Sequence, residues 1–337
     1  MTDAVLDALL SESREHGGDE PTESLRQASR AFLIRSAADP AILEAAAEAL
    51  STLPPAGAGW LAVMLGTAIE RGADAQITTP ALVKFYGSWL RQLPTPEMPD
   101  PANEDEEPRF PDPTPEQAAI IAAMTPVSQS LVSHLARTPE ERQRLATDDA
   151  LIERLDALGA YSHGMTWVRE ILVRTSGSII VLHPPSGAGL EVRYENIATC
   201  FHLFTLVQAA LGTRIPGGRR PDPAIIAAAT GRSNDRLHDE AWWHYGDPRS
   251  KTADLKFSIW GEALVRSIPV IDGSQIMLLW PPLLQSRSWD SAFFAPHLTA
   301  LKVAVTVERE LSPEQCQAWF EALGIRPGGR RKSWWPW

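Results

Sequence analysis

The sequence predicts an α+β fold: an N-terminal all-α domain, built as a bundle or a short HEAT-like array, followed by a mixed domain with a mainly antiparallel sheet and packed helices. Three observations carry this. Residues 1–92 and 114–160 are rich in Ala and Leu and are punctuated by helix-start signals. Residues 168–211 hold three short apolar runs joined by Ser176-Gly177 and Gly187-Ala188-Gly189, ending in an apolar helix pattern. A second strand group then lies between Asp272-Gly273 and residue 307. With 44% apolar and 22% charged residues in 337, the chain can bury a core and has length for two domains.

In chain order, residues 22–37 place Leu25, Ala28, Phe32 and Ile34 close to one helical face. Asp39-Pro40 then starts a helix reaching Leu50, and Thr79-Pro80 starts another reaching Leu90. The short polar side chain accepts from free backbone donors, while proline fits the first turn, where its missing N–H would go unpaired anyway. The same device recurs at Thr114-Pro115, Thr125-Pro126, Thr138-Pro139, Asp222-Pro223 and Ser312-Pro313. Gln117, Glu141 and Gln315 add the capping-box spacing. The 40 residues from Asp39-Pro40 to Thr79-Pro80 match the period of HEAT-type pairs, though only two such units can be counted.

Residues 93–113 change to Pro, Asp and Glu around Glu104-Asp105-Glu106-Glu107, the composition of a linker or exposed loop. Helices resume at 114 and close at Gly159, and residues 161–325 form the α+β domain. Its expected strands are 168–174, 179–182, 190–194, 275–280 and 301–307, the last alternating cleanly. The helix after the third strand carries Ile197, Cys200, Phe201, Phe204, Val207 and Leu211, with Gly212 as its C-terminal cap. A final helix from Ser312 carries Trp319, Phe320 and Leu323 and ends at Gly324. A faint echo links the strand groups: Gly177-Ser178, Ile180, Leu182 and Pro184-Pro185 parallel Gly273-Ser274, Ile276, Leu278 and Pro281-Pro282. Two related strand-turn units lying side by side would explain it.

The net charge of −11 is uneven: residues 1–160 carry 12 Lys and Arg against 26 Asp and Glu, net −14, and residues 161–337 carry 19 against 16, net +3. An acidic N-terminal half argues against nucleic acid there, because phosphate contacts need cations. No apolar run approaches the roughly 20 residues of a membrane span, and Asp3 and Asp7 stand where a signal peptide would be basic, so a cytoplasmic location is expected. The two cysteines, Cys200 and Cys316, read as buried thiols in separate helices.

The densest polar cluster runs from Leu237 to Asp247. Its His238, Asp239, Glu240 and His244 would suit a metal-dependent hydrolase by residue type. The spacing is unfavourable, since His238 and His244 are six apart and diverge on a helix; no cofactor is expected. Trp242 and Trp243 read instead as anchors of a docking loop. The basic loop with Arg219 and Arg220, and the tail 326–337 with Arg330, Arg331, Trp334, Trp335 and Trp337, are the other candidate partner-binding elements. Ser186-Gly187-Ala188-Gly189 lacks the following helix of a phosphate loop and reads as a hairpin turn. Cys200 and His202, two apart on a helix, point to different sides and form no nucleophile-base pair.

The wording Val181-Leu182-His183-Pro184 with Ser186-Gly187, then residues 201–206, and later Trp260-Gly261-Glu262 with Arg287-Ser288-Trp289, resembles uncharacterised proteins of high-GC bacteria across residues 165–325. The resemblance implies one domain for that half and carries no activity. The expectation is a non-catalytic binding or assembly protein with a protein partner in a bacterial cytoplasmic complex. A metal-dependent hydrolase and an anion- or nucleic-acid-binding protein acting through the Arg-rich loops stand as alternatives.

Overall fold

The computed structural model describes residues 3–18, 20–97, 109, 111–233, 243–284 and 300–328. The chain divides into two compact units, Met1–Leu172 and Val173–Trp337.

The first unit is all helical: α1 Ala4–Glu15, α2 Glu23–Ser36, α3 Pro40–Ala49, α4 Pro55–Glu70, α5 Ala75–Gln92, α6 Pro115–Leu135, α7 Pro139–Ala146, α8 Asp149–Leu158 and α9 His163–Leu172. Asp39 caps α3 ahead of Pro40, and Thr114 with Gln117 closes a full capping box on α6, as the dipeptides predict. Two of those dipeptides do not start helices. Asp74 caps α5, leaving Pro80 inside it, and Pro126 lies inside α6. An interior proline removes one helix hydrogen bond, at a cost of about 3 kcal/mol in isolation. Tertiary packing outweighs this, with the Pro126 ring seated against α4 at Gly59, where an added Cβ would lie 3.1 Å from its Cγ. With Pro80 no helix start, the 40-residue spacing loses its meaning as a repeat, and the unit is a bundle organised around α4 and α6. At α7 the Thr138 hydroxyl donates to the His134 carbonyl at 3.0 Å and makes no cap, so the box expected with Glu141 does not form.

Close helix approach holds the bundle together. A Cβ on Gly66 of α4 would sit 3.0 Å from Ser130 Cα of α6, one on Gly57 would sit 2.0 Å from the Ser13 carbonyl oxygen of α1, and one on Gly164 of α9 would sit 3.0 Å from Thr125 Cα. Contrary to the expectation from sequence, α6 is long and apolar enough to cross a membrane by length and composition alone, and more than half of its apolar stretch is buried in the unit. The ends of the acidic Pro-rich segment are fixed. Glu97 and Arg109 exchange backbone hydrogen bonds of 2.8 and 3.0 Å, and Arg154 donates to the carbonyls of Leu90 at 3.0 Å and Leu93 at 2.6 Å, capping the end of α5.

The second unit comprises β1 Thr175–His183, β2 Ala188–Ile197, α10 Cys200–Leu211, α11 Pro223–Ala229, β3 His244–Gly246, β4 Val270–Ile271, β5 Ser274–Trp280, β6 Ala304–Glu310 and α12 Pro313–Ala322. Its sheet runs β3-β5-β1-β2-β6, with β4 paired to β5. Only the β1–β5 pair is parallel among these strands. Residues 168–174, expected as a strand, belong largely to α9. Met165, Val168, Ile171 and Leu172 are buried at helical spacing, and this moves the boundary between units past the expected residue 161. The last strand begins three residues later than expected, and Leu301 and Val303 are buried in its approach.

The internal echo is realised as strand pairing: Ile180 faces Ile276 and Leu182 faces Leu278 across the parallel ladder. These four side chains form one core with Leu311, Cys316, Phe320 and Ile325, so α12 covers that face of the sheet. On the other face Tyr245 of β3 stacks on Phe204 of α10, ring centroids 3.6 Å apart, and donates to Gln208 Oε1 at 2.7 Å.

Gly57→Ala should lower the stability of the helical unit by about 1–3 kcal/mol because a backbone carbonyl blocks the new methyl. Gly87→Ala in α5, where only Arg91 Nη1 lies near at 3.5 Å, should raise it by about 0.5–1 kcal/mol. Urea titration of both variants checks the opposite signs.

Candidate functional cleft

The parallel strands β1 and β5 run to the same edge of the sheet, and each is followed by two prolines, Pro184-Pro185 and Pro281-Pro282. Proline offers no N–H to a ladder, so neither strand can extend its pairing. A cleft of about 760 Å³ opens beside these corners. Its walls are the two proline pairs, Trp280 and Leu283, with the turn 251–253 and the segment after α12 completing it. The volume lies in the range of sites that enclose a small molecule or several residues of a peptide.

Local chemistry explains each wall. Gly324, at φ 64°, ends α12 in the left-handed region and leaves space for Lys251, whose Nζ would lie 3.3 Å from an added Cβ. The Gly328 N–H donates to the Pro184 carbonyl at 3.0 Å, tying the segment after α12 to the first proline corner. The turn carrying Lys251 is built on Asp247. This carboxylate accepts from the Arg249 guanidinium and from the Arg249 N–H at 2.7 Å, and the Ser250 N–H donates to the Asp247 carbonyl at 3.0 Å. Burial pushes the Asp247 carboxyl up, but Arg249 and the backbone donor outweigh it and hold it below the usual carboxylate range. Trp280 is half-buried, with its pyrrole edge packed on Gly246 of β3, where an added Cβ would lie 3.0 Å from Cδ1.

Among the described residues lining the cleft there is no carboxylate, imidazole or thiol, and two cations, Lys251 and Arg326, are present. Both are exposed, and neither has a carboxylate partner among the described residues.

The candidates read from sequence fall elsewhere. Trp243 is 2% exposed and packs on the loop after α10, with Cζ2 2.7 Å from an added Cβ at Gly218. Its ring is therefore largely buried, and it lines a small pocket with Leu255 and Trp260. His244 is 4% exposed in β3, opposite Trp280, with Nδ1 3.4 Å from Ser258 Oγ. Arg219 and Arg220 are exposed in the loop after α10 and do not line the cleft. Trp242, His238, Asp239, Glu240, Arg330, Arg331, Trp334, Trp335 and Trp337 lie outside the described residues. Among the described residues no three His, Cys, Asp or Glu side chains are grouped to hold a metal. Cys200 and Cys316 are buried and form no disulfide.

Two imidazoles have polar partners of interest. In the hairpin turn His183 Nδ1 lies 2.7 Å from Ser186 Oγ, but that hydroxyl also accepts from the Ala188 N–H at 3.4 Å, the pattern of a turn closure. Burial lowers the His183 pKa to about 4. In the first unit His134 is fully buried, with Nδ1 2.7 Å from the Ser130 carbonyl and Nε2 2.8 Å from Thr78 Oγ. The carbonyl can only accept, so Nδ1 carries the proton and Nε2 accepts from the threonine. Burial pushes this pKa down to about 4. No protein-family model, curated protein or solved structure matches the chain.

The sequence reading missed the cleft residues because they come from four separated segments. The one available signal was the repeated Pro-Pro after matching strands.

His134 generates a pH prediction. The unfolded imidazole protonates near 6.5 while the folded one stays neutral until about 4, so acidification favours unfolding across that window. Between pH 7 and pH 5 this one group should remove about 2 kcal/mol of stability. Urea midpoints of the wild type and of His134→Gln, compared at both pH values, should show a smaller drop in the variant.

Proposed function

We propose that the protein is a non-catalytic binding or assembly protein of a cytoplasmic complex, and that the cleft at the ends of β1 and β5 is its docking surface for a protein partner. The observation that carries this reading is the composition of the cleft. Two proline pairs, Trp280 and Leu283 provide apolar wall, while the described lining supplies no carboxylate, imidazole or thiol. Proline corners lose little entropy when a ligand orders them, and a half-buried tryptophan is a common anchor of protein interfaces. Proline and tryptophan together also suit an extended chain, which presents its side chains without internal hydrogen bonds.

Site-specific photocrosslinking in the native cell tests this. Benzoylphenylalanine at Leu283 should give one or a few discrete protein adducts that the same group at Ile34, 75% exposed on α2, does not give. No adduct at Leu283, or the same smear from both positions, would overturn the reading.

A further inference from the structure

We infer that the partner element received by the cleft is an acidic segment carrying a large apolar side chain; this rests on the cleft being a docking surface. Residues 161–337 are nearly balanced, with 19 basic against 16 acidic residues. The described cleft lining within them is one-sided, with Lys251 and Arg326 and no carboxylate. The two cations come from different segments, one on the turn braced by Asp247 and Arg249 and one just past the Gly324 cap. The nearby Asp247 is already engaged by Arg249, so it does not neutralise Lys251. Two exposed cations beside an apolar wall, with no carboxylate partner among the described residues, favour a ligand that brings carboxylates.

The apolar requirement comes from a second observation. Pro282 and Leu283 line the cleft and also a small pocket with Leu255, Trp260 and Leu284. Those three side chains are 40%, 45% and 39% exposed. An exposed apolar patch that continues from a cationic cleft through shared residues marks an interaction surface for a ligand having both characters. A polypeptide satisfies this with alternating Glu and Leu. A nucleic acid would use the cations but leave the proline and leucine walls without matching apolar surface.

Fluorescence anisotropy with the full chain tests the inference, using labelled peptides of repeated Glu-Pro-Leu, Gln-Pro-Leu and Glu-Pro-Ser, and labelled oligothymidylate. Glu-Pro-Leu should bind best, with Gln-Pro-Leu about tenfold weaker and Glu-Pro-Ser weaker again. Lys251→Glu with Arg326→Glu, both on exposed side chains, should remove the preference for Glu-Pro-Leu over Gln-Pro-Leu and leave the thermal unfolding midpoint unchanged. Leu283→Asp should weaken both Leu-containing peptides. Equal binding of the Glu and Gln peptides, both lost in Leu283→Asp, would overturn the acidic preference and leave the docking surface standing. Tighter binding of oligothymidylate would overturn the choice of a peptide. Failure of every peptide to bind would overturn the inference together with the docking reading.

Discussion

The second unit depends on one constraint, the parallel pairing of β1 with β5. Strands that run the same way must finish on the same edge, and here Leu182 opposite Leu278 fixes where. Proline then follows both: His183 precedes Pro184 in extended conformation, as a residue before proline prefers, while β5 runs on to Trp280, paired with His244 of β3, before Pro281. Because prolines cannot donate to a ladder, the edge ends in two rigid corners and not in more sheet. The cleft is the space those corners frame, and the segment after α12 is held against it by the bond from Gly328 to Pro184. Packing of α12 on Ile180, Leu182, Ile276 and Leu278 makes the frame part of the core, so its shape is fixed by burial and not by loop chemistry alone.

The first unit follows a different rule. There, backbone proximity decides: glycines at 57 and 164 allow helices to approach to distances that any side chain would prevent, and those at 59 and 66 to distances that a side chain would strain. This close packing also explains why Pro126, which would break an isolated helix, persists inside α6 against Gly59 of α4, and why buried His134 is held neutral between Thr78 and the Ser130 carbonyl. The negative charge of the chain is concentrated in this half, whereas the described lining of the cleft in the other half is cationic.

Much of the fold was legible because local rules and tertiary packing agree over most of the chain. Thr114 with Gln117 and Ser312 with Gln315 form the boxes their spacing announces. Residues 168–174 were misread because a short run such as Val168, Ile171, Leu172 satisfies strand and helix periods alike, and only its neighbours decide. Thr125-Pro126 was misread because a dipeptide that can start a helix can also sit within one when packing compensates, and Thr79-Pro80 because Asp74 caps the helix five residues earlier. Apart from the repeated Pro-Pro, the cleft left no local pattern: Pro184, Lys251, Trp280 and Arg326 are brought together by topology. Trp243 drew attention as an aromatic in a polar cluster, yet polar neighbours in sequence do not place a side chain at the surface, and its ring fills the core beside Gly218. The echo between the two strand groups announced only their side-by-side packing, and equivalent strands so placed also bring their proline endings together.

A docking surface at this cleft requires that ligand contact be confined to it. Fluorine NMR of the 5-fluorotryptophan-labelled chain, with Trp280 assigned through Trp280→Phe, measures that contact at the cleft wall itself. During titration with an acidic, leucine-bearing peptide, the Trp280 resonance should shift progressively while that of Trp60, hydrogen-bonded to Ser29 in the helical unit, stays in place. An unmoved Trp280 signal, or equal shifts at both tryptophans, would contradict the account.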